Sequence, residues 1–389
     1  MNTKKPTPSR CIMSVATWGL ALLAMSGFTG CADSGHGGDN GQGGVASPVA
    51  PPIQHYAYVA NQTDDTLSIY KIDTATGKLV ANGSVSMLPG NGPTLVAVDP
   101  LNRFAYVANI GSHNVSAYRI DTTTGALTPI GAPVGAGLNP TSLKVDPTGR
   151  FLYVANQSGG VSAYRIDANS GALTSVGLDV PAGAEPFSVA VEPTGRFVYV
   201  TSGHPANLTN DVHQFSIDAN TGALSPVGVP VPAPAIPVNI TVDPSGKFAY
   251  VASGISSSVT AFAIDNITGA LTLVGTLPTG GGAPRAVAVE PSGRFVYVVN
   301  LDSNDVSIFS IDATTGALTP IPVNPIVPAP GLLARFLAVD ATGKFVYVTY
   351  FNSPYVSTFS INAVTGELTH LGTEPTGAGS VGITVTNAL

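Results

Sequence analysis

The sequence predicts an all-β fold, a seven-bladed β-propeller with four antiparallel strands per blade. Three observations predict it. A Tyr-Val landmark recurs at Tyr58, Tyr106, Tyr153, Tyr199, Tyr250, Tyr297 and Tyr347, at intervals of 46 to 51 residues. A turn of the form Asp-x-x-x-Gly recurs at Asp73, Asp121, Asp167, Asp218, Asp265 and Asp312, with Asn362 in the seventh place. The first copy lacks an opening strand, and the last copy ends on a strand with nothing after it. A period near 47 residues in a strand-rich pattern is the signature of a propeller.

Within one copy, each strand has its own reason. "TSLKVD" (141–146) alternates and forms strand A, and "PTG" turns the chain. "RFLYVAN", "GVSAYRI" and "ALTSVGLDV" then form strands B, C and D, rich in β-branched and aromatic residues. In the Asp-x-x-x-Gly turn between C and D the carboxylate accepts backbone N–H bonds and Gly supplies a positive φ. The first copy begins at "HYAYVAN", in strand B, so the closing "SVGITVTNAL" is expected to supply its strand A. That pairing closes the ring and removes free sheet edges.

The rest of the composition fits one large β body. The chain has 389 residues, 44 Gly, 32 Pro and 10% charged residues, which favours many turns over long helices. A body of this size buries roughly three-quarters of its unfolded surface. Residues 1–31 read as a separate object. Lys4, Lys5 and Arg10 precede an apolar run that ends in "FTGC", a secretory leader followed by a lipobox with Phe28 where Leu is usual. Cys31 is then the expected lipidation site. Residues 32–54, Gly-rich and then Pro-rich, read as a flexible tether, and residues 55–389 as the propeller. Ala32 after the anchor suits an outer-membrane destination in a Gram-negative cell, so the expected location is the cell envelope, with the membrane reached only through the lipid.

Loss of residues 1–30 removes Cys11 and Trp18. It leaves 13 Lys and Arg against 23 Asp and Glu. One remaining Cys forms no internal disulfide. An acidic balance without a basic patch argues against nucleic acid as a partner. A monomer without cofactor or metal is expected.

Strand direction sorts the loops. A–B and C–D turns share one face and are nearly identical around the ring. D–A and B–C loops share the other and vary, as in "AGAEPFS", "PAPAIPVN", "TGGGAPRA" and "TSGHPANLTNDV". Variable loops on a rigid scaffold are where binding is expected. The first position of strand A reads Thr94, Thr141, Phe187, Val238, Arg285, Arg335 and Val381, which sets two arginines side by side at the channel mouth. Arg103, Arg150, Arg196, Lys247, Arg294 and Lys344 instead sit in A–B turns beside an acid. Arg285 and Arg335 lack such a local partner and suit a carboxylate or phosphate, with Glu185, Asp302 or a carbonyl as the partners that would neutralise them. His113, His204 and His213 read as surface histidines. Asp302, Asn304 and Asp305 read as a capped turn more than a calcium loop. The Asn ending strand B (Asn61, Asn109, Asn156, Asn300) is expected to satisfy the B–C turn backbone. There is no nucleophile elbow, phosphate loop or zinc spacing.

The copies "YVAN", "YVTS", "YVVN" and "YVTY", with "VDPTGRF" before and "IDANTGAL" after, resemble the YVTN-type propellers of the lactonase family, which includes 6-phosphogluconolactonase-like and muconate-cycloisomerase-like proteins. The resemblance covers residues 56–389. It implies Pro-His or Arg-His at the start of strand A. Here Pro284 and Arg285 are kept, but Ala286 stands in the histidine's place, and Thr141 or Ser142 stands there in the third blade. Arg335 fits the family's second arginine. The anion-holding half survives without its usual proton carrier, and Glu185 is the acid nominated as a stand-in base. The expectation is a binding or scaffold propeller that takes a small anionic molecule or polymer at Arg285, Arg335 and Thr141. A lactone hydrolase in the cell envelope is the first alternative, and a protein-binding surface module the second.

Overall fold

The computed structural model describes residues 54–87, 92–204, 209–322 and 332–387. The expected leader with Cys31, and the tether as far as residue 53, lie outside the described residues. Gln54 already belongs to the body, where its side-chain amide donates to the Ile72 carbonyl at 3.0 Å.

Seven antiparallel sheets follow one another around a ring, each with strands A to D in order from the axis outward, and two of them carry a short fifth strand. Every regular element among the described residues is a strand. The first blade is composite. Ser380–Val385 pairs with His55–Asn61 in the register Val59↔Ile383. Beyond the strand, the Thr386 N–H donates to the Tyr56 carbonyl at 2.9 Å, and the Tyr56 N–H donates to Thr386 Oγ1 at 3.0 Å. The ring therefore closes as the sequence predicts.

Seven apolar clusters lie between neighbouring blades. One joins Phe104, Tyr106 and Ala108 of the second blade to Leu143, Val154 and Tyr164 of the third. Another joins Phe345 and Tyr347 of the seventh to Val59 and Ile383 of the first. Strand B is buried along nearly its whole length in every blade, as in Phe151–Asn156, because both of its faces meet a neighbouring sheet.

The landmark residues of the repeat bond between blades. Each strand-B tyrosine donates its hydroxyl to the carbonyl of the turn glycine in the next blade. Tyr58 donates to Gly125 at 3.0 Å, Tyr106 to Gly171 at 3.0 Å, Tyr153 to Gly222 at 3.0 Å and Tyr199 to Gly269 at 3.0 Å. Tyr250 donates to Gly316 at 3.2 Å, Tyr297 to Gly366 at 2.9 Å, and Tyr347 closes the circle on Gly77 at 3.0 Å. Burial holds these phenols above their ordinary pKa, so they remain donors. The same glycines cover the aromatic that opens strand B. At Gly171 φ is +77°, and a Cβ would fall 2.4 Å from Phe104 Cδ1, so this turn requires glycine on both counts.

The Asn side chains that end strand B differ from expectation. Asn61 Nδ2 donates to Thr66 and Ser68 hydroxyls, Asn109 to Asn114 and Ser116, and Asn300 to Asp305 and Ser307. They tie strand B to strand C through side chains, because the tight B–C turn leaves those groups facing one another. Asn156 adds a longer bond to the Val154 carbonyl, 3.4 Å, beside its 2.8 Å bond to Ser162.

Candidate functional site

Each strand A opens with a β-bulge. In the sixth blade Pro284 pairs with Asn300 and Ala286 with Val299, which leaves Arg285 out of register. The same shift isolates Arg335, Thr94, Thr141, Phe187, Val238 and Val381. A bulge bends its strand and re-aims the extra side chain. All seven extra residues line one cavity of about 190 Å³ at the mouth of the channel, joined at its rim by Gln62, Ile110 and Gln157. The aligned ring in the sequence is thus a physical ring. The residue before strand A is left-handed in several blades, with φ +55° at Ile236, +51° at Ala283 and +59° at Leu333. A β-branched or bulky residue in that region is strained, and such strain collects at functional sites.

Arg285 and Arg335 share this cavity, half-buried. Neither has an ion pair or guanidinium hydrogen bond among the described residues. Burial lowers the Arg285 guanidinium below its ordinary value, and Asp302 only partly opposes this. Burial and the neighbouring Arg285 bring Arg335 down to about 10, which leaves it charged at neutral pH. Arg335 also lies 5.7 Å from the centre of the Phe351 ring. Two desolvated cations that repel one another create a demand for an anion, and their forked donors suit a carboxylate or phosphate. Asp302 and Arg285 also line an adjoining depression.

Thr141 is in the cavity wall, where its hydroxyl reaches the Phe187 carbonyl at 2.9 Å. The Ala155 and Pro186 carbonyls also lie within reach of that hydroxyl, at 3.3 and 3.4 Å.

Glu185 is not on the cavity wall. It lines a neighbouring depression of about 540 Å³ with His204 and Gln157. The Glu185 carboxylate is 3.2 Å from His204 Nε2 and accepts from Gln157 Nε2 at 3.2 Å. Gln157 lines both spaces and so connects the carboxylate–imidazole pair to the mouth. The sequence reading missed this partner because His204 is 19 positions from Glu185 and arrives from a different loop.

The histidines are not free on the surface as expected. His213 Nε2 lies 3.0 Å from Asp211 Oδ1, and His113 Nδ1 accepts the Asn139 N–H at 3.1 Å. Both are partly buried by loops that fold back over strand C. No cluster of three or more His, Cys, Asp or Glu able to hold a metal occurs among the described residues. In the "NLDSNDV" loop Asp305 accepts from the Asn300 side chain and Asn304 accepts from the Ala334 N–H of the next blade, so these side chains tie strands and blades together where a locally capped turn was expected.

The lactonase family model, described as a seven-bladed β-propeller, matches residues 40–138, 134–226 and 206–334. A search of curated proteins gave no match. Among solved structures, a Bacteroides fragilis protein titled as a candidate 6-phosphogluconolactonase is 20% identical, covering 88% of this chain and 100% of its own, with a TM-score of 0.74. A protein from Lactobacillus plantarum is 21% identical over 86% of this chain and 99% of its own, with a TM-score of 0.73. The Pseudomonas aeruginosa periplasmic gluconolactonase is 21% identical over 86% of this chain and 99% of its own, with a TM-score of 0.70. At these identities the likeness is one of fold. With its repeat, its closed ring and the model match across most of its length, the chain belongs to the lactonase family of seven-bladed β-propellers.

Proposed function

We propose that this protein binds a small anionic molecule, or the anionic groups of a polymer, at the channel mouth through Arg285 and Arg335. The supporting observation is the uncompensated pair itself, two guanidiniums in one cavity with no carboxylate within ion-pair distance among the described residues. An arriving carboxylate or phosphate relieves their mutual repulsion and gains forked hydrogen bonds. Thr141 shapes the wall. Calorimetric titration of the purified protein with gluconate tests the reading. Arg285→Gln with Arg335→Gln is expected to weaken binding about 100-fold, the scale of two charge-assisted contacts. Unchanged affinity overturns it.

A second reading, lactone hydrolysis, is favoured by the Glu185–His204 contact. In that chemistry the Glu185–His204 pair takes a proton from water as its oxygen attacks the lactone carbonyl. The ring C–O bond breaks, and the leaving alkoxide recovers a proton. The arginines stabilise negative charge on the acyl oxygen. Two of the structural neighbours named above carry lactonase titles. Acid release from glucono-δ-lactone, followed in a pH-stat by the base consumed, distinguishes the readings. His204→Ala and Glu185→Gln should each lower kcat about 100-fold, and no turnover by the parent leaves binding alone. The site is proposed to act in the cell envelope, tethered through Cys31. Radiolabelled palmitate incorporation that disappears in Cys31→Ser is the corresponding test.

A further inference from the structure

Five of the loops that lead into strand A are held from the preceding blade, each by one half-buried side chain at the end of the B–C turn. Asp65 accepts the Gly92 N–H, His113 Nδ1 the Asn139 N–H and Asn210 Oδ1 the Ile236 N–H. Ser257 Oγ accepts the Ala283 N–H at 3.5 Å, and Asn304 Oδ1 accepts the Ala334 N–H at 3.1 Å. The Ser257 carbonyl also takes the Thr279 N–H at 3.0 Å, so this one residue clamps both ends of its loop.

The clamped N–H has a definite place. Gly92, Asn139, Ile236 and Ala283 each precede a proline, which has no N–H. The clamp therefore takes the last backbone donor before the mouth residue. In the seventh blade Ala334 stands where these loops have proline, and the clamp moves one residue along, to the N–H directly before Arg335. The exceptions follow from the residue at the clamp. The third blade ends its B–C turn in Gly159 and Gly160, which offer no side chain, and the Glu185 N–H goes to Ser202 instead. The seventh has Pro354 there, and Asp64 takes the Ala378 N–H.

The held backbone is left-handed, with φ +51° at Ala283 and +59° at Leu333 beside the Ala334 bond. Such a conformation persists only where its surroundings fix it. The bulge residue that follows takes its direction from it. Apart from the contact of Arg335 with the Phe351 ring, neither guanidinium of the mouth has a partner among the described residues. Their aim is therefore set by the backbone that carries them. The clamps that serve them, Ser257 and Asn304, are neutral, whereas Thr94 is served by the carboxylate of Asp65. They fix the backbone without supplying a counter-charge.

We infer that Ser257 and Asn304 are positioning residues of the anion site, each holding the last N–H before its arginine and so the direction of Arg285 and Arg335. The inference rests on the arginine reading above and adds the groups in the preceding blades on which that site depends.

Calorimetric titration of the purified protein with gluconate tests it. Asn304→Gly suits the left-handed backbone at that position, φ +55°, and removes the acceptor. It should weaken gluconate binding about tenfold, the scale of one charge-assisted contact. Ser257→Gly should weaken it about threefold, because its bond is the longer. Asn304→Ser supplies the acceptor that the fifth blade uses and should recover part of the loss. Asn210→Ala removes the equivalent clamp from the loop before Val238, where no arginine follows. It should lower the melting temperature as much as Asn304→Gly does and leave gluconate affinity at the parent's value. Equal weakening by Asn210→Ala and Asn304→Gly overturns the inference, since the mouth is then loosened in general. Full affinity in Asn304→Gly overturns it too; if the double-arginine variant has meanwhile lost binding, the mouth site stands and only the clamp falls. A parent that binds no gluconate overturns both readings.

Discussion

The two faces of the ring use arginine in opposite ways. On the uniform face, Arg150 donates Nη2 to the Ala219 carbonyl of the next blade at 2.7 Å and Nε to Thr148 Oγ1 at 3.1 Å, and it lies 5.2 Å from the centre of the Phe151 ring. Arg196 repeats the pattern onto the Asn266 carbonyl, and Arg103 onto Ala168. On the variable face, Arg285 and Arg335 are more enclosed, and among the described residues neither guanidinium has a hydrogen bond or ion pair; Arg335 keeps only its contact with the Phe351 ring. A cation whose donors are used by the neighbouring blade is part of the framework. A cation held out of water with its donors unused is poised for something that comes from outside.

The comparison breaks most sharply on the uniform face. Gly171→Ala forces a Cβ against the Phe104 ring at a left-handed φ and is expected to cost about 3 kcal/mol in urea unfolding. Next is Tyr153→Phe, which leaves the Gly222 carbonyl without its donor and should cost about 1–2 kcal/mol. Arg150→Gln loses a carbonyl bond and a ring contact at a largely exposed site, so about 1 kcal/mol is the upper expectation. The double variant Arg285→Gln, Arg335→Gln should run the other way. The lowered guanidinium values mean that the charged forms are disfavoured in the fold, so melting temperature should hold or rise even as anion binding falls. A drop comparable to that of Tyr153→Phe would show that the pair is structural.

The smallest effect is visible mainly in acid. Asp167 accepts the N–H groups of Asn169 and Ser170 and the Ser170 hydroxyl, and these bonds hold its carboxyl below the ordinary range. The stabilisation is complete above the unfolded carboxyl value of about 4 and is lost as pH falls through the lower folded value. Five further turns, at Asp73, Asp121, Asp218, Asp265 and Asp312, share the direction. The seventh uses Asn362, whose Oδ1 accepts the same two N–H groups without titrating. Asp167→Asn should therefore melt like the parent at pH 7 and show a shallower fall in melting temperature between about pH 5 and pH 2.5. An unchanged acid slope would remove these turns as the cause.

Blade number, strand order and ring closure were legible in the sequence because a repeat carries its own alignment. The ring of seven mouth residues was legible for the same reason. Its physical origin was not, since a bulge is a property of register between Pro284–Asn300 and Ala286–Val299 and leaves no mark in a single strand. The tyrosine-to-glycine bonds were hidden by distance along the chain. Tyr106 and Gly171 each looked sufficient within their own copy, while their bond spans 65 positions. Glu185 was read as a lone acid because its histidine comes from another loop.

The composite first blade sets the order in which the molecule is completed. Residues 380–385 are made after the three strands they join, and until they dock beside 57–61 the first blade lacks its innermost strand. A product that stops before residue 380 therefore keeps six whole blades and still lacks a sealed lumen.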